Sequence, residues 1–289
     1  MGVTRMVVAT MLLAVLGWAV TFEVRWPPPI GGNPRSLYRL ADGGYIVCGR
    51  GSRQPNTPLV ILIRTDSLGD TTWTRELTGY YDGYASPTGG GYITTVGTQR
   101  DSGHSYLGLN RISLTNDTVL YSRLPLDIAA MTCMAPTRDS GVVIGTWMMR
   151  GTVTKLDAVG QVQWSTRVGP TYTAESRSIH QTRNGGYLMV GSHEDSIGRW
   201  QFFAAGLDSA GRELWFRIGV EDSLGISGGA VLQMPDGRAV AAGVGLDTVM
   251  NTLVAATVTF DSGGSVSDHR IYPNGDSLDV FIHDVALTH

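Results

Sequence analysis

Asp157-Ala158-Val159-Gly160-Gln161-Val162-Gln163-Trp164 sets a glycine three residues and a tryptophan seven residues after an aspartate. The same spacing returns at Asp66, Gly69 and Trp73 and at Asp208, Gly211 and Trp215. Looser copies stand at Ser113, Asn116 and Tyr121, where the aromatic slips by one place, and at Asp261, Gly264 and Asp268. A glycine turn entering a β-branched or aromatic run precedes each copy: Asp42-Gly43-Gly44-Tyr45, Gly89-Gly90-Gly91-Tyr92, Asp139-Ser140-Gly141-Val142, Asn184-Gly185-Gly186-Tyr187 and Asp236-Gly237-Arg238-Ala239. From the last glycine of the first box to the Asp position of the second there are 22, 22, 16, 22 and 24 residues. Five copies in one order exceed composition noise, and a period of about 43 to 54 residues is that of four-stranded propeller blades and related arrays.

Each box has a physical reading. Glycine supplies the positive φ of a tight hairpin turn, and an Asp or Asn before it bonds its own backbone two residues on. Between the boxes, residues 59–63, 107–112, 152–156, 202–207 and 253–260 alternate like half-buried strands, and no helical period appears after residue 20. Each repeat therefore reads as strand a, the Gly turn, strand b, a loop, strand c, the Asp turn and strand d with its aromatic. One such sheet leaves edges and a face open, so copies must stack, and a closed ring is the usual solution.

The expected fold is an all-β β-propeller of four-stranded antiparallel blades, five full and a sixth incomplete. The blades run roughly 36–79, 84–125, 131–169, 178–219 and 229–272. Phe22 to Trp26 resembles a strand d and residues 280–289 begin with a strand a, so the sixth blade draws on both ends. The missing strands suggest a truncated product, since their absence from a small ring would leave a large apolar gap.

In these residues the chain resembles tandem β-propeller repeat proteins of secreted bacterial type and is similar to the quinoprotein, or PQQ-like, propeller repeats. Those blades carry the leucine, aspartate, glycine and tryptophan seen here at Leu156, Asp157, Gly160 and Trp164. The resemblance covers roughly residues 22–289. In the quinone-docking repeats the turn is one residue longer, with a threonine before the glycine, and none of the five copies has it. No cofactor is therefore expected; such repeats locate blades rather than catalysts.

Composition narrows the classes. The 289 residues are 42% hydrophobic and 16% charged, which excludes disorder and a coiled coil. A net charge of -3, with Lys155 the only lysine and the arginines scattered, argues against nucleic acid. Arg5 followed by the apolar run Met6 to Val20 reads as a signal peptide over residues 1–19, too short for a membrane span, ahead of one propeller domain over 20–289. A secreted protein, extracellular or periplasmic, monomeric and with no membrane span after cleavage, is expected. Cys48 and Cys133 sit in strand-like runs and read as small buried thiols, with no metal site.

Catalytic motifs are weak. Gly225-Ile226-Ser227-Gly228-Gly229 spells a nucleophile elbow but falls between strands d and a with no helix after it. His193-Glu194-Asp195 reads as a solvated turn in a b–c loop, the repeated aspartates stand one per blade, and the Asn116-Asp117-Thr118 sequon carries little weight. Trp73, Trp164 and Trp215 recur at one position and read as packing between blades, whereas Trp147 and Trp200 fall at b–c loops outside the consensus.

Strand alternation puts the stereotyped a–b and c–d turns at one end and the variable b–c and d–a connections at the other. Recognition concentrates on variable loops held by a rigid frame, so the candidate binding residues are Arg50, Arg53, Arg100, His104, His193 and Trp200. The function expected is a non-catalytic binding or envelope-scaffold module for a protein or glycan ligand. The alternative is a propeller hydrolase or quinone-dependent dehydrogenase.

Overall fold

Antiparallel strands account for every regular element that the computed structural model describes, over residues 9–15, 18–24, 31–52, 58–101, 104–114, 119–127, 130–194, 196, 198, 200–218, 227–247 and 252–272. These residues fall into two compact units, one up to Met131 together with Ala158–Gly160, the other from Thr132 to Asp157 and from Gln161 onward.

In the first unit, β1 (Ala9–Val15) and β2 (Trp18–Val24) form a two-stranded hairpin. The Phe22 to Val24 segment, read above as a strand d, pairs here with Ala9 to Met11, and residues 280–289 lie outside the described residues. Two four-stranded sheets follow. The first has the order β3 (Gly31–Arg39), β4 (Tyr45–Ser52), β5 (Pro58–Thr65), β6 (Thr71–Thr78); the second is β7 (Tyr80–Thr88), β8 (Tyr92–Asp101), β9 (His104–Ser113), β10 (Val119–Asp127). Inner strands of both are buried on each face, which is why β5 reads as the unbroken apolar run Leu59 to Ile63. Ile46, Cys48, Val60 and Leu62 of one sheet pack with Tyr80, Ala85, Ile93 and Ile112 of the other. Ser36 Oγ accepts from Ala85 N (3.1 Å), and Arg35 makes a bidentate pair with Asp82 at 3.1 and 2.9 Å.

The second unit holds a six-stranded sheet, β11 (Ala130–Pro136), β12 (Val142–Leu156), β13 (Val162–Gln181), β14 (Tyr187–Glu194), β15 (Trp200–Leu207) and β16 (Glu213–Ile218). A four-stranded sheet follows, β17 (Ser227–Gln233), β18 (Ala239–Asp247), β19 (Thr252–Phe260) and β20 (Val266–Tyr272). The six-stranded sheet carries the two repeats read at 131–169 and 178–219. The connection after strand b is short, so Trp147, Met148 and Met149 run on to pair with Glu175, Ala174 and Thr173. Two apolar layers cover this unit's strands. Val143, Val153, Ile179, Met189 and Phe203 form one, and Val190, Phe202, Trp215, Ala241, Val258 and Phe260 the other.

The turns follow the sequence boxes. Asp66 Oδ1 accepts from the N–H groups of Leu68 and Asp70 at 2.9 Å each, Asp208 Oδ1 from Ala210 and Arg212 at 2.9 Å each, and Asp261 Oδ1 from Gly263 at 2.9 Å and Ser265 at 2.8 Å. One carboxylate oxygen thus satisfies two turn donors, which is why aspartate recurs there. Two b–c hairpins are also tied back to their Gly turns by an ion pair, Arg64 to Asp42 at 2.5 Å and Lys155 to Asp139 at 2.8 Å. Cys48 and Cys133 are buried free thiols.

Candidate functional site

The b–c ends of the sheets carry five of the six candidate residues; Arg53 lies outside the described residues. In the first unit, Arg50 is exposed near the end of β4, Arg100 is exposed at the end of β8 with its guanidinium 4.7 Å from the Tyr81 ring, and His104 is exposed at the start of β9. Arg100 and His104 belong to one hairpin, where Arg100 pairs with Ser105 and Asp101 with His104.

In the second unit His193 and Trp200 part company. His193 continues β14 by pairing with Gln201; the residue is 3% exposed and its ring lies 6.5 Å from that of Phe216. The solvated turn read at His193 is therefore a buried strand position, because the β14–β15 ladder extends to Glu194 and Trp200. Trp200 points the other way and is 43% exposed. It lines an open cavity of about 270 Å³ together with Glu175, Arg177 and Ser192.

Ladder geometry explains this grouping. Opposed residues of an antiparallel pair share a face. Trp147 opposes Glu175, Glu175 opposes Ser192, and Ser192 opposes Phe202. Trp200, two residues from Phe202, shares that face, and so Trp147, also 43% exposed, stands at the opposite margin from Trp200. Arg177 occupies a register break between Ser176 and Ser178. A bulge re-aims a side chain, and here the guanidinium meets Glu175 Oε2 at 2.8 Å. Sequence reasoning noted both tryptophans but missed Glu175, Arg177 and Ser192, since nothing in a single chain marks a bulge or the partner across a ladder.

The nucleophile-elbow serine, Ser227, opens β17 and pairs with Val244 within a sheet, so it lies on no strand-to-helix turn. Among the described residues no group of three or more His, Cys, Asp or Glu side chains is placed to hold a metal ion.

No family model matches the chain, and no curated protein matches it. Among solved structures it is similar to a variant of Synechocystis apocarotenoid oxygenase, with a TM-score of 0.56, 10% identity and coverage of 88% of this chain and 64% of that one. It is similar also to a candidate exo-β-1,3-galactanase from Bifidobacterium bifidum, with a TM-score of 0.50, 13% identity and coverage of 86% and 93%. A protein of unknown function from Bacteroides caccae gives 0.50, 12%, 88% and 85%. At these identities the likeness speaks for architecture alone: the chain is all-β, built of antiparallel sheets, and β-propeller-like.

Proposed function

We propose that this chain is a secreted, non-catalytic β-propeller of tandem-repeat type that binds a glycan or protein ligand at the end of its sheets where the connections vary. In this reading the recurring boxes make five blades, residues 22–26 and 280–289 contribute to an incomplete sixth, and residues 1–19 direct export to the periplasm or beyond. The observation that carries it is the open cavity at Trp200, a concave surface with an exposed aromatic and a few convergent polar groups on a rigid sheet. Glycoside hydrolysis in its usual form flanks the bond with two carboxyl groups. Among the described residues lining this cavity there is one, Glu175, and it is committed to Arg177. That favours retention of a ligand over its turnover.

The test is co-sedimentation of the purified chain with insoluble polysaccharides, with reducing ends assayed in the same supernatants. Depletion from solution without product is the expected result. Release of reducing ends would make the protein an enzyme and overturn the reading.

A further inference from the structure

We infer that the Trp147–Trp200 face takes a short neutral oligosaccharide lying across the strands, an assignment that rests on the binding reading above. This face spans four strands. Trp147 is on β12, Glu175 on β13, Ser192 on β14 and Trp200 on β15. Three strand spacings set the backbones of the two tryptophans roughly 15 Å apart across the sheet, too far for them to clamp one ring and suited to a ligand several rings long. Each indole offers a flat apolar surface with one N–H, the match for a sugar ring with an apolar C–H face and polar edges.

Charge selects among ligand classes. Among the described residues lining the cavity the charges are one carboxylate and one guanidinium, joined at 2.8 Å, so they cancel. A quaternary ammonium ligand would want aromatic walls with a free carboxylate. An acidic ligand would want an uncompensated cation, and the Arg177 charge is already neutralised by Glu175. A neutral polyol uses the pair as it stands: hydroxyls donate to the remaining carboxylate lone pairs and accept from the remaining guanidinium N–H groups. Ser192, buried at 3% exposure, lines the same cavity between this pair and Trp200 in ladder order.

The experiment is a titration, followed by intrinsic tryptophan fluorescence and calorimetry, with neutral cello-, xylo-, manno- and galacto-oligosaccharides. Oligogalacturonate and chitosan oligomers serve as anionic and cationic controls. At least one neutral series is expected to bind, more tightly for the longer oligomers than for the monosaccharide and with little dependence on salt. Trp200→Ala and Trp147→Ala should each weaken it by about tenfold or more, with urea midpoints near that of the parent chain showing that both variants fold. Binding confined to a charged series, absence of binding by every neutral series, or neutral binding indifferent to both substitutions would overturn the inference. Those failures leave the binding reading intact if the parent chain is still retained on polysaccharide or protein. Release of reducing ends would sink the non-catalytic reading while leaving the sugar site in place.

Discussion

The indole of Trp164 lies against Gly211 so closely that a Cβ built on that glycine would stand 2.5 Å from its Cε3 atom. Gly211 belongs to the Asp208 turn, one repeat further along the chain, and its φ is +80°. Trp215 meets Gly264 of the Asp261 turn in the same way, with a built Cβ 2.3 Å from its Cδ2. In these two copies the glycine of the second box serves twice, as the left-handed turn residue and as the flat seat for the preceding tryptophan.

Gly211→Ala should cost roughly 2–4 kcal/mol, the sum of a left-handed alanine and an overpacked indole. Gly237, with φ +91° and nothing within 4 Å of its built Cβ, isolates the first contribution. Gly237→Ala should cost only about 1 kcal/mol. Urea midpoints of the two variants read the difference directly, and equal losses would deny the seat.

Ser140 is the single non-glycine residue at positive φ among the described residues, at 67°, in the place that Gly43, Gly185 and Gly237 hold in the other turns. Ser140→Gly is expected to raise stability by up to about 1 kcal/mol, seen as a higher thermal midpoint.

Arg138 and Arg183 latch successive Gly turns. Arg138 donates to the carbonyls of Thr182 (2.9 Å) and Arg183, and Arg183 donates to that of Pro235 (2.8 Å). Their own backbone N–H groups donate to Gln181 Oε1 (2.8 Å) and Gln233 Oε1 (2.7 Å). Both arginines sit at the surface, so each substitution by alanine should cost about 0.5–1.5 kcal/mol. The two share the turn at residue 183, and a double-mutant cycle in urea should return a coupling energy clearly different from zero.

Several turn carboxylates titrate low. Asp42 is held below the usual range by the Arg64 guanidinium, Asp208 by the Arg212 backbone N–H and then its guanidinium, and Asp236 by Arg238. At Asp139 burial is the largest influence and pushes upward, but donors on Lys155, Thr137 and Gly141 together outweigh it and hold the carboxyl low. A carboxylate lowered on folding adds stability that is present above its unfolded pKa and lost as pH falls through the folded one. With the unperturbed value at 3.8, the urea midpoint should be steady from about pH 7 to 5 and decline below about pH 4. Asp139→Asn keeps the turn, since Asn184 serves in the next copy, but strands the 3%-exposed Lys155 side chain. It should lower the midpoint at pH 7 and flatten the acid decline.

Both thiols should be inert in the folded chain. Burial raises Cys48 far above the usual thiol range and lifts Cys133 to about 12. Ellman's reagent at pH 8 is expected to find no reactive thiol until denaturant is added, then both; prompt reaction of either would contradict the packing of Cys48 with Leu62 and Ile93 or of Cys133 with Val143.

Much of the frame was legible because turn chemistry repeats. Asp66, Asp208 and Asp261 each bond the N–H two residues on, as the turn chemistry implies, and the N–H four residues on besides, and the apolar runs became β5, β9 and β15. Tertiary pairing decided the remainder. His193 read as a polar loop residue, yet its neighbour Gln201 draws it into a ladder and its ring into the core. Lys155 read only as the lone lysine, and its burial against Asp139 depends on two strands meeting. Arg177 and Glu175 carry no signature because a register break, invisible in one sequence, aims the arginine.

The rungs that Trp147, Met148 and Met149 form with Glu175, Ala174 and Thr173 have a consequence for cooperativity. A fluctuation that frays either hairpin must tear bonds belonging to its neighbour, so β11 through β16 open together rather than one after the other. Slow amide exchange should therefore be shared across that whole stretch, and a protease would meet it as a single barrier rather than as a zipper undone from one side.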